Sequence, residues 1–290
     1  MGRREDKCSG EVLQAHNLPY NDRNFLWTFW HYWVDWLFVA VYAAVALGLT
    51  KAPVRDRFKE PTNPDFQYPY QEDFVTFSVC CVMVIAIPIF CFIVTNLVYV
   101  KMLCKDWNYV LDFHHSLLGL LESSSVCILA TNSLKIAVGR VRPSGSARHK
   151  LDMHDWNQSY PSGHTSMIFC GMVYLFLFLS GKAGILRKTG IVFSKSQDPF
   201  RGSFAFAFLT FFLPMVIACF VLASRLVDYA HDFSDVNAGA VIGLVSAFIG
   251  YFLCYPSLMD DHCHMPRPMA YIQRAKQSPE HRDPSLKLLE

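Results

Sequence analysis

Apolar residues in this chain run in long blocks separated by shorter polar stretches. A helix that crosses a bilayer needs roughly 20 mostly apolar residues. Six blocks have about that length: Trp30–Thr50, Phe74–Val100, His115–Val138, Gly163–Gly181, Ser203–Ala223 and Val236–Tyr255. The pattern predicts an all-α polytopic membrane protein with six transmembrane helices. Trp30, Tyr32, Trp33 and Trp36 open the first block, as an interfacial aromatic belt would. Polar residues at 21–24 precede it where a cleaved signal would carry charged, apolar and small-residue regions, so the block is expected to be retained. The chain then divides into an N-terminal tail (1–25), a six-helix domain (26–255) and a C-terminal tail (256–290). Both tails are polar and aperiodic, and are expected to be loosely attached.

Composition agrees with the blocks. Hydrophobic residues make up 52% of the 290, charged residues 17%, and the mean hydropathy is +0.23. A soluble domain carries roughly 25% charged residues, and a disordered chain is poor in apolar ones. A net charge of +2 gives no reason to expect nucleic acid as a partner. Lys and Arg divide unevenly, 16 on the side that holds both tails and 10 on the other. The positive-inside rule therefore places both termini in the cytosol and the odd loops outside or in a lumen. Asn157-Gln158-Ser159 is a glycosylation sequon in the loop between the third and fourth spans, on the outer side. None of the ten cysteines falls in an outer loop, so no structural disulfide is expected. His262-Cys263-His264 lacks a second ligand cluster, so no metal is expected there.

Charge is scarce, and on the outer side it gathers at three span ends, where ionisable residues are usually functional. Lys135 and Arg142-Pro143 close the third span (motif 135–143). Seven residues apart, they share a helix face, and long arms or a bend at Gly139 could bring both to one anion; flanking membrane anchors are the other reading. Pro143 should end the helix near Arg142. Pro161-Ser162-Gly163-His164 opens the fourth span (161–164). A helix N-terminus presents free N–H groups to an anion, glycine lets the anion approach, and histidine moves protons near neutral pH; a plain serine cap beside a chance histidine is the alternative. Ser224-Arg225, His231 and Asp235 lead into the sixth span (224–235). Four apart on a helix, His231 and Asp235 would be neighbours, the carboxylate fixing the imidazole tautomer; otherwise they are an incidental pair in an exposed loop.

Taken together these groups suit attack on a phosphate: cations and N–H groups hold its oxygens, one histidine attacks, and another protonates the leaving group. The other nine histidines lack such a setting, and His114-His115 read as interfacial or packing residues. Glu122 and Asp35 are the acidic residues inside spans. Glu122 has no evident role; a site cation or Ser123–Ser125 are candidate partners.

The motifs Lys135-x6-Arg142-Pro143, Pro161-Ser162-Gly163-His164 and Ser224-Arg225-x5-His231-x3-Asp235 resemble the three-part signature of the type 2 phosphatidic acid phosphatase (PAP2) superfamily. Length and span count are similar to its integral-membrane lipid phosphate phosphatases. The resemblance implies that His231 is the nucleophile and forms a phosphohistidine, that Asp235 orients it, and that His164 protonates the leaving alkoxide. It implies that Lys135, Arg142, Arg225, Ser162 and Gly163 hold the phosphate, with no metal or cofactor. Asp232 stands where many relatives carry a second histidine, and could alter local charge and substrate preference. The expected substrates are phosphatidate, lysophosphatidate and related monoesters on the outer or luminal leaflet, in the plasma membrane or in endoplasmic reticulum or Golgi membranes. Sphingosine phosphate, diacylglycerol diphosphate and polyprenyl diphosphate are alternatives. A non-enzymatic lipid-binding relative is a further class, and the sequence leaves a homo-oligomer open.

Overall fold

A computed structural model describes residues 25–55, 63–98, 108–184 and 212–277. Among these the regular elements are helices: α1 (Phe25–His31), α2 (Trp33–Leu49), α3 (Phe77–Val98), α4 (Tyr109–Val138), α5 (Gly145–Lys150), α6 (Gly163–Ala183), α7 (Leu213–Val227), α8 (Phe233–Cys254) and α9 (Arg267–Gln277), with a short 3₁₀ turn at Pro64–Phe66. Four of them, α3, α4, α6 and α8, are long and apolar enough to cross a membrane. The chain is thus a multi-pass membrane protein. The first and fifth apolar blocks form shorter helices. Tyr32 separates α1 from α2, which has 17 residues, and α7 has 15. Residues 203–211 of the fifth expected span, and Cys8 and Cys104, lie outside the described residues.

Local chemistry sets the helix ends that matter for the site. Asn108 caps α4 by accepting the Leu111 N–H, and Gly139 ends it in the left-handed conformation at φ 57°. That conformation suits a residue without Cβ. Space demands glycine too, because a Cβ at Gly139 would fall 2.0 Å from the Arg55 carbonyl oxygen. Ser162 caps α6, its Oγ accepting from Thr165 N–H. Asp232 and Asp235 form a capping box at the start of α8.

α6 lies at the centre. Of its apolar stretch 78% is buried, against 22% for α3, whose large side chains such as Val82 and Phe90 point outward as a lipid-facing helix requires. It packs against α8, α7, α3 and α4. Small residues let the backbones of α6 and α8 approach closely: a Cβ on Gly243 would meet the Ser166 carbonyl oxygen at 2.3 Å and Cys170 N at 2.8 Å. At the end of α6 remote from Gly163, Lys182 is buried and donates to Asp112 Oδ1 (2.5 Å) and to the His264 carbonyl (2.8 Å), while Tyr255 also donates to Asp112 Oδ1 (3.0 Å).

Two expectations are refined. The third span starts earlier: α4 begins six residues before the apolar block and takes in His114 and His115. Packing is the reading that holds for both: Trp36 Nε1 donates to His114 Nε2 at 3.0 Å, and His115 Nδ1 sits 2.9 Å from the Leu111 carbonyl. The tail after 255 is not all loosely attached, since α9 buries Met269, Ala270 and Ile272, Met269 packing with Leu111. Three apolar positions within four residues are too few to show a helical period in the sequence.

Gly243→Ala should strain the α6–α8 contact by about 1–3 kcal/mol. The expected readout is a lower Tm in detergent; an unchanged Tm would show that the helices can separate at no cost.

Candidate active site

Three segments distant in sequence meet at one end of the bundle. Lys135 lies in the last turn of α4, and a Cβ on Gly163 would be 3.6 Å from its Nζ, so the ammonium rests beside the N-terminus of α6. The helix ends at Val138, earlier than expected, and Arg142 reaches the site from the loop beyond the Gly139 turn rather than from the helix face of Lys135. The loop fixes Arg142 firmly. Its Nε donates to the Asp155 carbonyl (2.9 Å), Nη1 to the Ala230 carbonyl (3.1 Å), and Nη2 pairs with Asp155 Oδ2 (3.0 Å). Nη1 also stands 3.5 Å from His231 Nε2.

His231 precedes α8 instead of lying on it, because Asp232 takes the cap position. The four-residue spacing to Asp235 still brings the two together, though not as neighbours along a helix. His231 Nδ1 is 3.8 Å from Asp235 Oδ2, too far for a hydrogen bond but close enough for the charge to act. Asp235 is fully buried and otherwise saturated: Oδ2 accepts from Ser159 Oγ (2.5 Å) and Asp232 N–H (3.0 Å), and Oδ1 from Arg140 (2.8 Å). Its carbonyl accepts the Ser162 N–H at 3.0 Å, joining the starts of α6 and α8. His164 follows on α6, edge-on to Phe77 at 5.3 Å between centroids, and the charges of Arg225, Arg142 and Lys135 reach it. His164 Nε2 and His231 Nδ1 are buried and without hydrogen-bond partners among the described residues.

Arg225 is 1% exposed, donates Nη2 to Asp228 Oδ2 (2.5 Å) and pairs with Asp73 Oδ1 (3.1 Å). Arg148, 3% exposed, pairs with Asp155 (3.0 Å). The structure thus brings together every residue of the three motifs, and adds Arg140, Arg148, Asp73, Asp155, Ser159 and Asp228. Arg140 and Arg148 lie in the cation-rich stretch after α4, and Asp228 stands three residues from Arg225 in the third charged cluster, both usable signals; Asp73 and Asp155 carry no spacing that marks them. Asp232 pairs with Arg140 at 2.6 Å besides capping α8. Glu122 meets no site cation. With Asp35 it lines a separate cavity of about 200 Å³ among α2, α4 and α8, and Cys254 Sγ lies 3.9 Å from its Oε2. Asn157, of the expected sequon, is 8% exposed.

Burial and then Arg142 push the His231 imidazole down to about 3, against the pull of Asp235, so it is neutral at pH 7. Burial lowers Arg142 to about 10, opposed by Asp155, and the guanidinium stays charged. Burial would raise Asp155, but Arg142 and Arg148 outweigh it and hold the carboxyl below its usual range. A neutral ring nitrogen beside fixed cations and a helix N-terminus is equipped to attack an anionic centre held by those cations.

Residues 116–260 match the PAP2 superfamily profile. A PA-phosphatase related-family protein of Dictyostelium discoideum is 34% identical over 205 residues, 69% of this chain and 68% of that protein. Lipid phosphate phosphatase 1 of Arabidopsis thaliana is 31% identical over 266 residues, covering 84% and 73%. The protein named "Probable diacylglycerol pyrophosphate phosphatase 1" of Schizosaccharomyces pombe is 32% identical over 177 residues, covering 53% and 58%. No solved structure matches.

The depressed imidazole sets a pH dependence. Below its usual 6.5 the unfolded chain protonates His231 while the folded chain does not, so stability is lost as pH falls from 6.5 toward 3. Asp155, also depressed, loses its contribution as pH falls through its folded value, in the same direction. The Tm in detergent should drop between pH 6.5 and 4, and His231→Gln should flatten part of that slope. Identical slopes would contradict the burial argument.

Proposed function

The chain belongs to the PAP2 superfamily and is a phosphatase, and on that premise we propose that it hydrolyses lipid phosphate monoesters, phosphatidate and lysophosphatidate among them, through a phosphohistidine on His231. The arrangement of the His231 ring carries this reading. One nitrogen stands 3.5 Å from the Arg142 fork and the other 3.8 Å from Asp235. Asp235 favours the tautomer with the proton on Nδ1 and leaves the Nε2 lone pair facing the anion site.

In the first step Nε2 attacks phosphorus and the bond to the lipid oxygen breaks. His164 gives its proton to the departing alkoxide. Arriving phosphate offsets the surrounding cations, and it is in that complex that His164 carries its proton. In the second step His164 takes a proton from water, the oxygen attacks phosphorus, the N–P bond breaks, and inorganic phosphate leaves with both histidines restored. Lys135, Arg142, Arg225, Ser162 and the Gly163 N–H hold the phosphoryl oxygens. A general acid at the alkoxide contributes typically 10²–10⁴-fold.

Lipid substrates suit the location. Lys135 ends α4, His164 begins α6 and His231 precedes α8, so a headgroup would meet the site with its acyl chains still among the helices. With six spans, the excess of Lys and Arg on the side of the tails supports cytosolic termini and a site on the exterior or luminal face. Similarity to the S. pombe relative favours a second reading for the substrate, diacylglycerol diphosphate, by the same chemistry.

Purified His231→Ala should remain folded and lose phosphatidate hydrolysis, assayed in mixed micelles with a chelator; retained turnover would end the mechanism. Arg142→Lys should also lose most activity, because a point charge cannot reproduce a fork with three protein partners. A near-normal rate would make Arg142 a membrane anchor. A sequon engineered into the 185–202 segment, between the fourth and fifth expected spans, should stay unglycosylated in cells; a glycan there would reverse the orientation.

A further inference from the structure

The connection between α2 and α3 carries none of the three motifs, yet it supplies a carboxylate to two of the buried arginines. Asp73 Oδ1 lies 3.1 Å from Arg225 Nη1 and 3.8 Å from Arg148 Nη2. These arginines come from α7 and α5, so one side chain ties two segments together. The neighbouring residues are fastened as well. Phe74 N–H donates to Asp228 Oδ2 at 3.0 Å, the same oxygen that accepts from Arg225. The Tyr70 ring lies 5.0 Å from the Arg148 guanidinium. Tyr68 stacks on Tyr229 at 4.9 Å and donates its N–H to the Pro143 carbonyl at 3.2 Å. Residues 68–74 form a strap over the segments that carry Arg142 and Arg225.

The donor inventory shows what Asp73 does. A guanidinium has five N–H groups in a rigid fork. Arg225 spends one on Ser224 Oγ (3.3 Å) and one on Asp228, and Asp73 faces Nη1 as an ion pair at 3.1 Å. The other N–H groups can meet an anion only in the direction that these three contacts set. Charge adds to the need. Arg148 and Arg225 bear unfavourably on Arg142, and Asp155 and Asp73 oppose them. We propose that Asp73 is a positioning residue of the reaction: from the outer strap it aims the Arg225 fork at the phosphate and offsets the repulsion among the arginines. The inference rests on the phosphatase reading of the site.

A loop anchor and a positioning carboxylate differ in what their loss does to binding. Asp73→Asn keeps the shape and removes one negative charge from an anion site. Ground-state attraction for a phosphate dianion then rises while the fork loses its aim, and misplacement of a binding group costs rate steeply. Purified Asp73→Asn, assayed on phosphatidate in mixed micelles, should lose roughly 10- to 100-fold in kcat. Its KM and its inhibition constant for inorganic phosphate should stay level or fall. Asp73→Glu should recover part of kcat. A kcat within about twofold of the parent would overturn the proposal. So would inhibition by phosphate that weakens in step with kcat, or a Glu variant no better than Asn. If the Asn variant is not recovered folded, Asp73→Glu replaces it, with reduced kcat and intact phosphate inhibition expected and parallel loss of both counting against the proposal. Parent protein inactive on every lipid phosphate would overturn the phosphatase reading itself, a result distinct from all of these.

Discussion

Like charges must be held together in a place with little water, and much of this structure answers that constraint. Arg142, Arg148 and Arg225 are 7%, 3% and 1% exposed. An isolated ion buried to that degree costs several kcal/mol, and three of one sign repel besides. The lattice of Asp73, Asp155 and Asp228 makes the grouping tenable: Asp155 serves Arg142 and Arg148, Asp73 serves Arg148 and Arg225, and Asp228 serves Arg225. Each guanidinium therefore has a set direction before any ligand arrives. Preorganised charge of this kind is what a transition state with developing negative charge can use without reorganisation.

Backbone geometry delivers these side chains. The left-handed Gly139 turn takes the chain off α4 so that Arg140 and Arg142 can point into the site. The capping box of α8 uses Asp235 twice, once to satisfy the Asp232 N–H and once to face His231. Its carbonyl in turn accepts from Ser162, the cap of α6. The carboxylate that faces His231 and the helix N-terminus beside Lys135 are thereby parts of one hydrogen-bonded unit.

Much of this was legible in the sequence, and the remainder was not for definite reasons. Long apolar runs mark α3, α4, α6 and α8, because the bilayer imposes a length that no local exception hides. The motif residues were legible because they are polar where polarity is costly. Asp73 and Asp155 were not: Asp73 stands 152 residues from Arg225 and 75 from Arg148, and Asp155 stands 13 from Arg142, separations that follow from the fold and not from any helical or strand period. His231 was placed on a helix because spacing alone cannot tell the first turn from the residue before the cap. Lys182 and Asp112, 70 apart in sequence, gave no sign of pairing.

That last pair gives α6 a property of its own. The helix is tied through Ser162 to α8 at one end and through Lys182 to Asp112 at the other. Twenty-one residues rising about 1.5 Å each make a strut of about 30 Å, close to the thickness of the hydrocarbon layer. Tied to α8 at one end and to α4 at the other, the strut sets how far Gly163 and His164 stand from the Lys182 end. Bilayer thickness thereby enters the reaction as a length: a lipid has to bring its phosphorus to a level that the protein, and not the membrane, has set.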